Sequence, residues 1–401
     1  VDLASALWLR PGSWRHRLLF GWLSKMDEAA YLKWKTIVEA GPFTDDDVAL
    51  RVSAISTGSA ALFSSVGAWE HVLETRAGAY ERMCVWDENA TPDGPSALRF
   101  EAAEFGVPQL GFIVENLLLQ EALLRQLGKM SIDLRFGSPL RGLHNAGTHY
   151  ELRLDAGDAV EADLVIGADG ARSFIRSAAG IEASELPYQQ TAFVTHLEPS
   201  EPHRSTAWQR FLADGPLGIL PLHDGRVSVV WSTSPEQAQA ALDADDAETA
   251  RMLSEASGYV LGDLAMAGPR GAFPLCARHA RNYVLPNLAL IGDAAHAIHP
   301  LAGQGINLGL SDVAVLAGEI GGAIDRGLAP GELSVLKRYQ RQRKGENLAM
   351  MAAMDGFKRL FEQRAPAIRW LRNAGLRGVG RLAPVKQQLM RQAMGIGEGR
   401  G

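Results

Sequence analysis

The pattern of hydrophobic and polar positions predicts short buried strands that alternate with helices. Three aliphatic or β-branched runs, each ending at a turn signal, are predicted as strands at residues 36–38, 162–167 and 288–291. Apolar residues at helical spacing predict helices at residues 59–72, at residues 117–127 and after Gly303. Strands that alternate with helices are typical of a parallel α/β domain.

A second region has a different pattern. Residues 191–195 and 227–232 are predicted as strands, residues 235–253 as one helical stretch, and residues 81–110 as extended pieces. These β-rich pieces are inserted between the α/β segments, so we expect a second domain that is woven into the first.

Composition excludes several classes of protein. The chain has 401 residues, enough for two or three domains, with 47% hydrophobic and 21% charged residues. A net charge of −6 gives no overall basic field, so nucleic acid is not an expected partner. The two cysteines, Cys84 and Cys276, have no metal-binding spacing, and we expect no metal site and a cytoplasmic location. No apolar run reaches the length of a membrane-spanning helix.

The most specific motif lies between Leu290 and residue 309. A buried strand reads into Gly292-Asp293-Ala-Ala-His, and the chain continues through Pro300 to Gly303-Gln304-Gly305-Ile-Asn307-Leu-Gly. Glycines permit close approach of the backbone, and the start of a helix offers free N–H groups to an anion. An acid at the strand end can accept a hydrogen bond from a sugar hydroxyl. His296 and His299 have helical spacing, but no third metal ligand is near them.

Two weaker signals accompany this motif. The run Asp-Leu-Val-Ile-Gly-Ala-Asp169-Gly170-Ala-Arg-Ser is again a strand, a tight turn and a helix. Arg172 and Arg176, in this helix, are open to two interpretations, a functional contact or a solvated helix face. Arg51, in Leu-Arg-Val-Ser-Ala-Ile-Ser, would be unremarkable alone.

As a set, these motifs resemble the FAD-dependent aromatic-ring hydroxylases, the para-hydroxybenzoate-hydroxylase-like flavoprotein monooxygenases. The resemblance covers residues 32–396, and the ending Gln-Leu-Met-Arg-Gln-Ala-Met-Gly at residues 388–395 is similar to the ubiquinone-biosynthesis branch. It implies that Asp293 holds the ribityl chain of FAD and that Arg51 meets the flavin. The cofactor-binding residues that it implies are Glu39, Arg51, Asp169, Gly170, Gly292, Asp293, Pro300, Gly303, Gln304, Gly305 and Asn307.

The resemblance also implies the architecture. We expect an α/β fold in which a Rossmann-type FAD-binding domain is interleaved with a β-sheet substrate domain and followed by a helical C-terminus. The expected boundaries are 31–80, 111–182 and 273–330 for the FAD-binding domain, 81–110 and 183–272 for the substrate domain, and 331–401 for the C-terminal helical region.

The implied reaction is hydroxylation of the aromatic ring of a polyprenylated phenol or benzoquinol in ubiquinone biosynthesis, with NAD(P)H and O₂. The cofactor carries the difficult chemistry, and no catalytic residue can be named. Pocket walls are expected from Trp86, Phe211, Leu220, Pro221, Trp231 and Pro300. Two alternatives remain open, a flavin-free relative that serves as a scaffold and a hydroxylase of a soluble aromatic.

The first thirty residues do not fit this family, which begins with a strand, GxGxxG and a helix. Glu39 closes the strand at residues 36–38, as the family's second-strand acid would, but no GxGxxG precedes it. Three explanations are open: a targeting peptide, natural loss of flavin binding, and a reading frame shifted by one base. Common codons for residues 12–18, read one base later, permit Gly-Ala-Gly-x-Ile-Gly about 20 residues before Glu39.

The C-terminal tail alternates apolar and basic residues. Ile368, Trp370 and Leu371 are followed by further apolar positions among arginines such as Arg372 and Arg377. Such a helix can lie on an anionic lipid surface or pack on the FAD-binding domain. The first alternative predicts peripheral contact with the inner membrane, and the resemblance adds an expected assembly with other ubiquinone-biosynthesis proteins.

Overall fold

The computed structural model describes residues 6–9, 35–38, 50–155, 157–298, 305–362, 386–387 and 394. Within these residues no helix is long and apolar enough to cross a membrane. The strands, in chain order, are β1 (Ala6–Leu9), β2 (Lys35–Val38), β3 (Val52–Ser56), β4 (Gly78–Tyr80), β5 (Arg82–Asp87), β6 (Leu98–Glu101), β7 (Gly111–Glu115), β8 (Asp133–Arg135), β9 (Leu140–Asn145), β10 (Tyr150–Leu154), β11 (Ala159–Ala162), β12 (Leu164–Gly167), β13 (Ala183–Pro199), β14 (Thr206–Leu212), β15 (Gly215–Pro221), β16 (Val227–Thr233), β17 (Leu264–Ala280), β18 (Val284–Leu285), β19 (Leu288–Leu290) and β20 (His296–Ala297).

The helices, in chain order, are α1 (Thr57–Ser65), α2 (Trp69–Arg76), α3 (Asn116–Leu127), α4 (Phe174–Ala178), α5 (Pro235–Asp243), α6 (Asp246–Ser257), α7 (Gly305–Asp325) and α8 (Leu333–Glu362). The strands predicted at 36–38, 162–167 and 288–291 are confirmed as β2, β12 and β19, as are the helix at 117–127 and the long helix that follows Gly303.

Two predicted helices are each divided in the structure. The stretch at 59–72 breaks at Gly67, whose φ of +72° cannot continue a helix. The stretch at 235–253 breaks before Asp245, whose carboxylate accepts from the Glu248 amide at 2.8 Å and starts α6. The apolar spacing continues across both breaks, so periodicity alone predicted single helices.

One sheet carries the α/β half of the chain, in the order β18-β19-β12-β1-β2-β8. β12 pairs with β19 in parallel, and β2 pairs with β8 in parallel. β1 lies between β12 and β2 but runs antiparallel to both, with Leu9 opposite Lys35 and Leu164, where β2 and β12 begin. The chain therefore leaves β1 at the edge where its neighbours start.

A second sheet has eight strands in the order β20-β17-β13-β16-β15-β14-β5-β6. Strands from residues 82–101 thus join the sheet built mainly from residues 183–280. Successive side chains along each strand point to opposite faces of this sheet. We call the face that packs against α5 and α6, with Phe193 and Trp231, the outer face, and the opposite face the inner face. The inner face includes Phe211, which stacks on Phe361 of α8 at 3.8 Å between ring centroids.

Candidate active site

Two glycine turns lie side by side at one edge of the parallel strands. Gly167 of β12 is opposite Leu290 of β19, and the Ile291 amide donates to the Gly167 carbonyl at 3.0 Å. Because parallel strands end at the same edge, the turn of Asp169–Gly170 neighbours the turn of Gly292–Asp293. The sequence predicted both turns as cofactor positions, and the fold brings them together.

The turn after β19 is shaped by a left-handed glycine. Gly292 has φ +56°, and Asp293 beside it is exposed, whereas Ala294 and Ala295 are fully buried. The first turns of α7 approach closely, since a Cβ added to Gly309 would lie 3.3 Å from the Gly292 Cα. The turn can therefore present one carboxylate beside the N-terminus of a 21-residue helix.

Arg176 connects the two turns. Its Nη1 donates to the Ala294 carbonyl and its Nη2 to the Ala171 carbonyl, each at 2.9 Å. The residue is 6% exposed, so the interpretation of Arg176 as part of a solvated helix face is wrong. Arg172 is exposed, as that interpretation expects. The planar guanidinium has N–H donors in fixed directions, so one arginine can bind the carbonyls of both turns and hold them at a set distance.

The side chain of Asp169 is directed to its own helix. Its carboxylate accepts from the Ser173 hydroxyl and, at 2.9 Å, from the Ile175 amide, which stabilises the start of α4. Gly170 has φ +72° and is buried. This arrangement holds the turn in place, and a contact of Asp169 or Gly170 with FAD or NAD(P)H stays a prediction.

Asn307 joins α7 to β3 and α1. Its Oδ1 accepts from the Ser56 amide at 3.0 Å and the Ser59 hydroxyl at 2.7 Å, and its Nδ2 donates to the Ala54 carbonyl at 2.8 Å. The side chain thus positions the α7 N-terminus. Gly305 begins α7, and a Cβ there would meet nothing within 4 Å.

Arg51 reaches the inner face of the eight-stranded sheet. Its guanidinium lies 5.6 Å from the ring centroid of Phe273 in β17, and its carbonyl accepts from the Asn116 amide at 3.0 Å. Arg51 is exposed and Phe273 is 39% exposed. Asn307 contacts β3 at Ala54 and Ser56, whereas Arg51 precedes this strand, so β3 connects the Arg51–Phe273 contact to the N-terminus of α7.

The expected pocket walls divide between the two faces of this sheet. Phe211 and Leu220 are on the inner face, where Leu220 packs with residues of β3 and β7. Trp231 packs with α5 and α6 on the outer face, and Trp86 meets Trp208 there at 6.0 Å between ring centroids. The expectation that Trp86, Trp231 and Pro221 line the same pocket as Phe211 and Leu220 is therefore wrong, because strand alternation places the two groups on opposite faces.

A buried carboxylate that the sequence motifs did not single out lies beneath the Gly292 turn. Asp312 of α7 is fully buried. Its Oδ2 accepts from the Gly292 amide at 3.0 Å and from His296 Nε2 at 2.5 Å, and its Oδ1 accepts from Arg343 Nε at 2.7 Å. Burial alone would raise the pKa of Asp312, but His296 and Arg343 bring that pKa below its ordinary value.

Four of the predicted site residues, Glu39, Pro300, Gly303 and Gln304, lie outside the described residues, as does His299. Asp312 was not found because its signal is weak from sequence alone. It is one of three acids in α7, and its partner Arg343 lies in a basic run where no one arginine stands out.

Comparison with known proteins decides the family. The model of the family described as FAD binding domain matches residues 45–353. The chain belongs to this family. It is 38% identical over 364 residues to 3-demethoxyubiquinol 3-hydroxylase of Escherichia coli K12, covering 89% of this chain and 90% of that protein. It is 36% identical to the ubiquinone biosynthesis monooxygenase COQ6, mitochondrial, of Xenopus tropicalis, covering 88% and 86%.

A solved structure shows the same fold. The p-nitrophenol 4-monooxygenase PnpA of Pseudomonas putida DLL-E4 superposes with a TM-score of 0.71 at 18% identity, covering 91% of this chain and 92% of that chain. The fold class predicted from the sequence is confirmed, and the protein is an FAD-dependent monooxygenase with NAD(P)H as the family's co-substrate.

The described residues fit FAD at the flavin end of the site. The left-handed Gly292 turn and the open backbone at Gly305 permit close approach of a ligand, and the exposed Asp293 and Arg51 carry charges of the kind that FAD hydroxyls and ring oxygens would meet. That these residues hold FAD stays a prediction. At the other end, β1 occupies the position of the family's first strand but runs in the opposite direction. The last described residue of β1, Leu9, therefore lies at the start of β12 and β2, at the edge of the sheet opposite to the turns of Asp169 and Gly292.

Proposed function

We propose that this chain hydroxylates the aromatic ring of a polyprenylated phenol or benzoquinol in ubiquinone biosynthesis. The support is the likeness, over nearly the whole chain, to relatives named for ubiquinone biosynthesis. The observation that carries the proposal is that Arg51, the residue that the family resemblance assigns to the flavin, lies 5.6 Å from the partly exposed ring of Phe273 on the inner face of the eight-stranded sheet. An aromatic ring placed there would lie beside the position where FAD is expected.

When bound, FAD would supply the redox chemistry, namely uptake of hydride from NAD(P)H and activation of O₂, of which one oxygen atom goes to the ring and the other to water. The residues of this chain orient the substrate and exclude water. Phe273, which is 39% exposed, offers apolar surface for a ring, and Phe211 and Leu220 pack behind the same face of the sheet. A dry site protects reactive species from hydrolysis.

Membrane contact and assembly partners belong to the same proposal. A polyprenylated substrate resides in lipid, and the alternating apolar and basic residues of 368–381 suit an anionic lipid surface. Lys386, beyond them, is instead paired with Glu104. We expect sedimentation with anionic vesicles to exceed sedimentation with neutral vesicles, and deletion of residues 367–401 to abolish the difference. Unchanged binding after the deletion would contradict a role for the tail.

FAD binding by this chain is tested separately from the substrate. In a dinucleotide-binding fold the phosphate loop follows a first strand that is parallel to its neighbours, whereas β1 is antiparallel to β12 and β2. After incubation with FAD and desalting, we expect the protein to keep the flavin absorbance bands. A colourless protein would instead support the alternative of a flavin-free relative that serves as a scaffold for partner enzymes.

The substrate class is tested with the reconstituted protein. NAD(P)H oxidation and a product heavier by one oxygen atom are expected with a prenylated phenol in detergent or lipid. Equal turnover of small phenols without lipid would indicate a soluble aromatic substrate instead.

A further inference from the structure

The carboxylate of Asp312 collects donors from three segments of the chain. The Gly292 amide belongs to the turn after β19, His296 belongs to β20, and Arg343 and Asn347 belong to α8. Asn347 Nδ2 lies 3.3 Å from Oδ1. Asp312, His296, Arg343 and Asn347 are each at most 3% exposed. A buried carboxylate whose oxygens are all occupied in this way has a single favourable orientation.

The same contacts hold the start of α7. Arg343 Nη2 donates to the Leu308 carbonyl at 3.3 Å and to Asn347 Oδ1 at 3.0 Å. Arg343 therefore fixes α8 against the first turns of α7, while Asp312 fixes α7 against the Gly292 amide. The Gly292 amide immediately precedes Asp293, the exposed carboxylate of the turn.

We propose that Asp312 and Arg343 are a positioning pair through which α8 sets the geometry of the Gly292 turn for FAD. Neither residue needs to touch the cofactor. Their effect is transmitted by the backbone amide of Gly292, whose hydrogen bond to Asp312 supports the left-handed conformation of the turn. The inference rests on the binding of FAD and is independent of which aromatic substrate is used.

A second, less buried ion pair between the same helices provides a control for the docking of α8 on α7. Arg338 Nε of α8 lies 2.7 Å from Glu319 Oε2 of α7, but this pair has no contact with the turn after β19. The test variant is Asp312→Asn/Arg343→Gln, and the control variant is Glu319→Gln/Arg338→Gln. Each removes both charges at once, because removal of one partner of a buried pair leaves an uncompensated charge that can unfold the protein.

The first readout does not require FAD. Hydrogen exchange of the peptide that contains Gly292–His296 is measured in the apo protein. We expect exchange about tenfold faster in the test variant, and less than about twofold faster in the control. Equal exchange in the test variant and the unaltered protein would overturn the proposal. Equal acceleration in both variants would also overturn it, since α7–α8 docking in general would then explain the effect.

The second readout is FAD affinity, from quenching of flavin fluorescence at equilibrium. We expect the dissociation constant to rise about tenfold in the test variant, equivalent to about 1.4 kcal/mol, and less than about twofold in the control. The visible flavin spectrum should shift only in the test variant. Unchanged affinity in the test variant would contradict the proposal. If the unaltered chain binds no FAD at all, the proposed function is contradicted, and the hydrogen-exchange result still tests whether Asp312 and Arg343 position the Gly292 turn.

Milder variants of His296 and Arg343 guard against failure to fold. His296→Gln keeps an N–H donor for Asp312 and should retain slow exchange at Gly292, whereas His296→Ala should accelerate it. Arg343→Lys keeps the charge but loses the fork of donors to Asp312 and Leu308, and should give an intermediate rate. Identical exchange in His296→Gln and His296→Ala would oppose the proposed role of Asp312.

Discussion

Replacement of Gly309 by alanine tests the close approach of α7 to the Gly292 turn. In an open helical position this substitution stabilises a protein by about 0.5–1 kcal/mol, because glycine loses more backbone entropy on folding. At Gly309 the added methyl would lie 3.3 Å from the Gly292 Cα, which is tighter than most real contacts. The helix must then move by a few tenths of an ångström. We expect this strain to cost about 1 kcal/mol, which cancels or outweighs the stabilisation from the lower backbone entropy of alanine in the unfolded chain.

Gly318, on the same helix, is the control. A Cβ there meets nothing within 4 Å, so Gly318→Ala should show the full gain. Urea unfolding of the apo protein gives the stabilities, and fluorescence titration gives the FAD dissociation constant, which we expect to rise several-fold for Gly309→Ala alone. If Gly309→Ala is as stable as Gly318→Ala and binds FAD with unchanged affinity, the close approach has no role in the site.

Three further predictions use urea unfolding. Asn307→Ala removes the three hydrogen bonds to Ala54, Ser56 and Ser59 and should destabilise the protein by about 2–4 kcal/mol, whereas a loss of under about 1 kcal/mol would contradict the assigned contacts. Arg176→Met leaves two carbonyls without their donor and should cost about 2–4 kcal/mol, and an equal cost for exposed Arg172→Met would refute this. Burial, aided by the positive charges of Lys344 and His296, lowers the pKa of His279 to about 4. Histidine in the unfolded chain has a pKa of about 6.5, so the unfolded state takes up a proton before the folded state does as the pH falls from 6.5 towards 4. The free energy of unfolding therefore decreases over this range. His279→Gln should make the decrease between pH 7 and 5 smaller by about 1–2 kcal/mol, and an unchanged decrease would mean that other groups cause it.

The sequence predicted the elements whose signal is local. A buried strand followed by glycines and a helix start was enough to place the turns of Asp169–Gly170 and Gly292–Asp293, and parallel pairing brought them together. The faces of the second sheet were not predictable in this way. Trp86 and Trp231 have the character of pocket walls, but their side is decided by register against strands distant in the chain.

The roles of buried polar residues could not be read from the sequence for the same reason. Arg176 resembles a surface residue until its partner Ala294 is known, and Asp312 acquires its meaning from Arg343, thirty-one positions later. The direction of β1 is also a property of pairing, since a four-residue apolar strand carries no signal for parallel or antiparallel neighbours.

The most direct test of the central claim is a single turnover assay. The chain is incubated with FAD, desalted, and supplied with NAD(P)H, O₂ and a prenylated phenol in lipid. We predict retained flavin absorbance, its bleaching by NAD(P)H, and a ring-hydroxylated product heavier by one oxygen atom. A colourless protein that forms no hydroxylated product would contradict the assignment of this chain as an FAD-dependent ring hydroxylase.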